Sequence, residues 1–270
     1  MDLKIGLVGC GAIGTEIAKA IDRGEIEASL VGVFDRNVER AGELARSLSS
    51  EPPVLELLDL VERSEIVVEA ASQRAVPEVA KAALERGRDL MIMSVGALLD
   101  RGLRRTLEDL AKIHRSRIYI PSGAISGLDG LKSAGSAKIE LVTLTTTKNP
   151  KGFAGAPYIE EMEIDLDAIT EATVIFEGSA EEAVAAFPAN VNVAATLSLA
   201  ARGSKVRVRI VADPKTKVNI HQITAEGSFG RISTRVENVP FPRNPKTSYL
   251  AALSAIATLQ SIAEPIKIGT

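Results

Sequence analysis

Apolar positions in the first 120 residues follow two alternating patterns. Residues 4–8 form a short, mostly apolar run of strand length, and residues 12–23 carry Ile13, Ile17, Ala20 and Ile21 at helical spacing. Strand-like runs recur at 30–34, at Ile66-Val67-Val68, at 90–94 and at 118–120. Helical patterns lie between them at 37–48, 55–61, from Pro77 to Gly87, and at 103–114. Pro52-Pro53 stops the second helix. Apolar strands alternating with amphipathic helices predict a mostly parallel sheet covered by helices.

Beyond Pro121-Ser122-Gly123-Ala124 the pattern changes. Residues 138–147 alternate as a long strand, Ser179 and Glu182 are spaced as a capping box opening a helix over 180–186, and 192–201 reads as a second helix ended by Gly203. Three further strands are predicted at 205–211, 218–225 and 231–236. A last helix over 248–263 presents Leu250, Leu253, Ala257 and Ile262, with Leu259 beside them, as a stripe that needs a dry partner. The first layer is the expected partner. The chain then forms an α/β protein with an amino-terminal, parallel-sheet Rossmann-type domain of residues 1–124 plus 246–270 and a second α/β domain of 125–245. Two crossings between domains predict a hinge with a ligand cleft beside it.

A formal net charge of -3 with scattered Lys and Arg offers no footprint for nucleic acid. No run of eighteen apolar residues occurs and the first residues lack a long apolar core, so neither a membrane span nor a secretory leader is expected. One cysteine excludes an intrachain disulfide, and with only two histidines no metal site is expected. A cytoplasmic protein is the simplest expectation.

Gly9-Cys10-Gly11-Ala12-Ile13-Gly14 lies between the first strand and first helix, and Asp35 ends the second strand. Glycine at the first position permits the tight turn, at the second it clears the approach to a pyrophosphate, and at the third it lets helix meet sheet, with free N–H groups facing the phosphates. Asp35 is the expected acceptor for ribose hydroxyls, which favours NAD. Arg36 beside it could pair with a 2′-phosphate, leaving NADP open. Ala71 and Ser72, after the third strand, are expected to line the cofactor. Cys10 is expected to be a small packed residue rather than a nucleophile.

His114 reads as an exposed helix end. His221 shares a strand face with Asn219 and Ile223, a face polar enough to line a cleft, and histidine exchanges a proton near neutrality. Asn190 and Asn192 suit either a helix cap or a ligand contact. Ser122, Ser126, Asn192, Lys148 and Lys246 are candidates to hold substrate carboxylates, with both lysines expected at the solvated surface unless their heads reach the cleft.

Five blocks together resemble the L-aspartate dehydrogenase family: the glycine run, Pro121-Ser122-Gly123-Ala124-Ile125-Ser126-Gly127-Leu128-Asp129, Phe187-Pro188-Ala189-Asn190-Val191-Asn192, Asn219-Ile220-His221 with Ala225-Glu226-Gly227-Ser228-Phe229-Gly230, and Asn244-Pro245-Lys246-Thr247-Ser248. The resemblance implies that His221 is catalytic and that Ala124 and Asn190 contact the cofactor. It also implies that the second domain carries substrate and dimer contacts, so a homodimer is expected. The implied reaction is NAD(P)-dependent oxidation of L-aspartate to iminoaspartate and then oxaloacetate and ammonia, in the service of NAD biosynthesis. From the residues alone, His221 could deprotonate the substrate ammonium or activate water, another amino or hydroxy acid could be the substrate, and a non-catalytic NAD sensor would share the same cradle.

Overall fold

The structure, a computed structural model, describes residues 2–188, 192–241 and 244–269, with only the backbone at 244–246. It contains two compact units, Met1–Pro121 with Ala252–Ile268, and Ser122–Ala251 with Gly269–Thr270. The changes of unit were expected slightly elsewhere, after residue 124 and before 246. Two contacts account for the difference: Asn238 Nδ2 donates to the Ala124 carbonyl, and Tyr249, in the first turn of the last helix, packs edge-on against Phe241 at 5.1 Å.

In the first unit β1 (Leu3–Val8), α1 (Ala12–Asp22), β2 (Ala28–Phe34), α2 (Val38–Arg46), α3 (Leu57–Arg63), β3 (Ile66–Glu69), α4 (Val76–Leu84), β4 (Asp89–Ile92), α5 (Arg101–His114) and β5 (Ile118–Tyr119) follow in order. All five strands are parallel, in the order β2-β1-β3-β4-β5. Ile5, Leu7, Val67, Val68 and Met91 are fully buried, as strands covered on both faces require. The order reverses between β1 and β3, which opens a crevice beyond their carboxyl ends.

The carboxyl-terminal helix, Tyr249–Ala263, returns to this unit and adds Ala255, Ile256 and Leu259 to its core. Its buried stripe is rotated from the expected one: Ala252 and Ala255 are fully buried while Leu253 is 39% exposed. Small side chains let the helix approach closely, and the larger leucine is left outside. No helix among the described residues is long and apolar enough to cross a membrane.

The second unit comprises α6 (Leu128–Ala134), β6 (Ile139–Lys148), α7 (Pro157–Glu161), β7 (Thr173–Ser179), α8 (Ala180–Ala186), α9 (Asn192–Ala200), β8 (Val206–Ala212), β9 (Asn219–Gly227) and β10 (Gly230–Asn238). A short ribbon pairs Pro240–Phe241 with Asn244–Ser248. The main sheet runs β10-β9-β6-β8-β7, antiparallel except for β6 beside β8. Ser179 and Glu182 close the expected capping box over α8, at 3.1 and 2.7 Å. Elements α6, α7 and β7 were not anticipated. Segment 149–162 is held by Phe153 and Tyr158, whose rings pack on Phe187 and Phe176 at 5.3–5.9 Å.

One face of this sheet governs the site. Val142 and Leu144 of β6, Ile223 and Ala225 of β9, and Val208 and Ile210 of β8 point into one apolar core. Toward the carboxyl end of β6 the same face continues as Thr146 and Lys148, and toward the start of β9 as His221 and Asn219. The core face thus becomes polar at one end while remaining buried.

Candidate active site

The cradle of the first unit is set by backbone sterics. Gly9 has φ +97°, a region favouring glycine, and a Cβ there would lie 2.6 Å from the Ala70 backbone. A Cβ on Gly14 would strike the Gly9 carbonyl oxygen, so α1 meets the turn only because Gly14 lacks a side chain, as the turn meets the Ala70 backbone only because Gly9 does. Gly11 is different, since nothing lies within 4 Å of the place its Cβ would occupy. The first and third glycines therefore serve packing and the second leaves room for a ligand, next to the amino-terminal N–H groups of Ala12, Ile13 and Gly14. These residues fit a dinucleotide pyrophosphate.

A cavity of about 200 Å3 begins at Gly9 and Gly11 and extends past Ala71 and Ser72 to Asp35, Arg36, Arg40 and Glu78. It lies at the β1/β3 reversal. Asp35 accepts hydrogen bonds from the N–H groups of Cys10 (2.8 Å) and Asn37 (2.9 Å), so the carboxylate anchors the glycine turn as well as facing the cavity. Arg36 reaches Glu78 at 3.7 Å, and Arg40, a cation not anticipated from sequence, lies 3.9 Å from Asp35. Asn37 caps α2 through the Arg40 N–H, which starts Arg40 in the first turn beside Asp35. Burial, and then the Asp35 charge, push the Cys10 thiol up to about 12, so it is no nucleophile near neutrality.

Glu69, the last residue of β3, was also missed from sequence. It is fully buried, and burial raises its pKa despite hydrogen bonds from Ser94, Ala71 and Ser72.

In the second unit the polar end of the sheet assembles four side chains, each at most 5% exposed: Thr146, Lys148, Asn219 and His221. Thr146 pairs in register with His221, and its Oγ1 lies 3.0 Å from Nδ1. Continuing that register sets Lys148 beside Asn219, whose Nδ2 donates to Ser248 Oγ at 3.3 Å. Burial, reinforced by the Lys148 charge, lowers the imidazole pKa to about 3, and burial alone lowers the Lys148 ammonium to about 8. The expectation that Lys148 is solvated needs correction: it is a buried residue, because even-numbered positions of β6 face the core, and His221 beside it is 3% exposed.

Asn238 joins this group from β10. Its Nδ2 donates to the carbonyls of Ala124 (3.0 Å) and Asn219 (3.3 Å), while its Oδ1 is buried without a partner among the described residues. The Ala124 segment is thereby tied to the strand that carries His221. Ser126 is exposed, and its carbonyl accepts from Thr234 Oγ1 at 3.3 Å; Ser122 is half-buried and Asn192 exposed at the start of α9. Asn190 and the side chain of Lys246 lie outside the described residues. His114 is exposed, as expected.

A five-stranded parallel sheet with a glycine cradle at its reversal, an acidic end to β2 and a second unit carrying a buried histidine define a two-unit dehydrogenase with an NAD-binding domain. Residues 9–121 match the NAD-binding domain family of homoserine dehydrogenase, and residues 129–262 the aspartate dehydrogenase carboxyl-terminal family. The chain is 56% identical to L-aspartate dehydrogenase of Methanococcoides burtonii and 48% identical to that of Nitrosopumilus maritimus, in each case over 99% of this chain and at least 99% of the relative. The crystal structure of aspartate dehydrogenase from Thermotoga maritima superposes with a TM-score of 0.76 at 28% identity, covering all of both chains. The chain belongs to the aspartate dehydrogenase family.

Proposed function

We propose that this protein oxidises L-aspartate with NAD, giving iminoaspartate, NADH and a proton, after which water converts iminoaspartate to oxaloacetate and ammonia. The buried Thr146, Lys148, Asn219 and His221 group carries this reading, in a chain 56% identical over its whole length to an L-aspartate dehydrogenase. When bound, the nicotinamide supplies the hydride acceptor. Gly9, Gly11, Ala12, Ile13 and Gly14 hold the pyrophosphate, Asp35 with Ala71 and Ser72 the adenosine side, and Ala124 and Asn190 complete the cofactor contacts.

Hydride leaves Cα readily only from a neutral amine, so a group must first take a proton from the substrate ammonium. His221 is that acceptor. For Nε2 to accept, Nδ1 carries the hydrogen and donates it to Thr146 Oγ1, which fixes the tautomer. Lys148 receives a substrate carboxylate, and Lys246, Ser122, Ser126 and Asn192 are the further candidates for carboxylate contacts. A carboxylate at Lys148 cancels part of the charge that depresses His221, so substrate binding itself strengthens the base. Iminoaspartate is a reactive product suited to feed NAD biosynthesis. The working form is a cytoplasmic homodimer, which light scattering at assay concentration would check; a monomer would refute it.

NAD is preferred and NADP accepted less well, because Arg36 is engaged by Glu78 and Asp35 opposes a 2′-phosphate. Replacing Asp35 with serine should shift the NAD/NADP affinity ratio toward NADP by about 10–100-fold, the worth of lost hydrogen bonds to a charged acceptor. Both cofactors feel the loosened glycine turn equally, so the ratio isolates the ribose contact. An unchanged ratio in paired titrations would contradict this role. The substrate assignment is tested by initial rates with aspartate, glutamate, alanine and malate. Aspartate should dominate kcat/KM; a higher value for any of the others would transfer the assignment.

A further inference from the structure

We propose that Glu69 is a positioning residue for the dinucleotide, a carboxylate that fixes the loops following β3 and β4 in the shape the cofactor requires. The inference rests on the reading of the β1/β3 reversal as the NAD cradle. Glu69 Oε1 accepts from the N–H groups of Ala71 (2.8 Å) and Ser72 (3.0 Å) and from Ser94 Oγ (2.9 Å), while Oε2 accepts from the Ser94 N–H (3.0 Å). One side chain thus binds the first residues beyond two neighbouring parallel strands. Ala71 and Ser72 line the cavity, and the Ala70 and Ala71 backbone is what a Cβ on Gly9 would strike, so the chain of contacts runs from Glu69 into the glycine turn itself. An apolar residue would fill the space as well. Only an acceptor with two oxygens holds both loops, and its burial away from water makes the arrangement rigid.

All four contacts are donors in this arrangement, which makes the substitutions informative. In Glu69→Gln the remaining oxygen can keep the Ala71 and Ser72 N–H groups, while the new NH2 meets the Ser94 N–H donor to donor. This variant should loosen the β4 loop alone, replacing its N–H contact with a repulsive one while Ser94 Oγ can still donate to the remaining oxygen. Glu69→Ala frees both loops, and Ser94→Ala removes only the hydroxyl link.

The expected dissociation constants for NAD, followed by quenching or by NADH fluorescence, rise about threefold for Ser94→Ala, about tenfold for Glu69→Gln and about a hundredfold for Glu69→Ala. In Glu69→Gln the KM for NAD should rise in parallel, with kcat at saturating NAD within about threefold of the parent and the KM for aspartate unchanged. A purely structural role has a different signature: a lower melting temperature and a smaller active fraction, with parent-like NAD affinity in the surviving molecules. If Glu69→Ala does not fold, the graded pair Glu69→Gln and Ser94→Ala carries the comparison. Parent-like NAD affinity in Glu69→Gln would overturn the positioning role. Absence of NAD binding by the parent would instead overturn the cradle reading beneath it.

Discussion

Replacing His221 with alanine is expected to lower aspartate-dependent NADH formation by about 10²–10⁴-fold, the usual worth of a positioned acid–base group. NAD affinity should stay near that of the parent, because the cofactor contacts are assigned to the glycine cradle, Asp35, Ala71, Ser72, Ala124 and Asn190 and none of them to His221. His221→Asn is the sharper control, since asparagine retains polarity and much of the size but cannot exchange a proton near neutrality. Thr146→Val should produce a smaller loss, by releasing the imidazole tautomer without removing the ring. In the parent, kcat should fall with decreasing pH as the imidazole of the substrate complex becomes protonated. That limb should lie above the pH of about 3 that burial and Lys148 impose on the substrate-free site. Both His221 variants should lack it. Near-parent turnover with an unchanged limb would remove His221 from the chemistry.

Lys148→Met is expected to stabilise the protein and to impair it. The ammonium is lowered from 10.5 to about 8 by burial, so deprotonation favours the folded state. The stabilisation due to the neutral amine is complete only above the unfolded pKa and is lost as pH falls toward about 8. At neutral pH the buried charge opposes folding by about 3 kcal/mol, at roughly 1.4 kcal/mol per pKa unit. Methionine fills similar volume without a charge, and the melting temperature should rise by about 5–10 °C at pH 7. The KM for aspartate should rise about 10–100-fold through loss of a charge-assisted contact to a carboxylate. In the parent that KM should also increase above pH 8 as the ammonium is lost, and the variant should not show this rise. Higher stability with an unchanged KM would make Lys148 a buried residue without a substrate role.

The cradle of the first unit and the buried polar cluster of the second differed in how far they could be read from sequence. The cradle was legible because strand, glycine turn, helix and Asp35 are contiguous and their geometry is set by local backbone sterics. The alternation of β9 likewise assigned Asn219, His221 and Ile223 to one face, and burial of all three agrees. Lys148 was read as solvated because lysine usually is. Its burial follows from the face of β6 that turns inward, decided by pairing with β9 more than seventy residues away. Glu69 passed unnoticed as the polar end of an apolar run, since its partners Ser72 and Ser94 meet only in the folded sheet. Asn238 was hidden for the same reason, its acceptor Ala124 being 114 residues distant. Strand β7 was missed because its first residues, Thr173 and Val174, are exposed and show no clean alternation.

The central claim is that the chain removes hydride from Cα of L-aspartate. The most direct measurement supplies L-aspartate deuterated at Cα together with NAD, and locates the deuterium by mass spectrometry while counting oxaloacetate and ammonia. The account predicts one deuterium in each NADH formed, with oxaloacetate and ammonia produced in equal amounts to it. NADH formed without deuterium, or no NADH formed from aspartate at all, would contradict it.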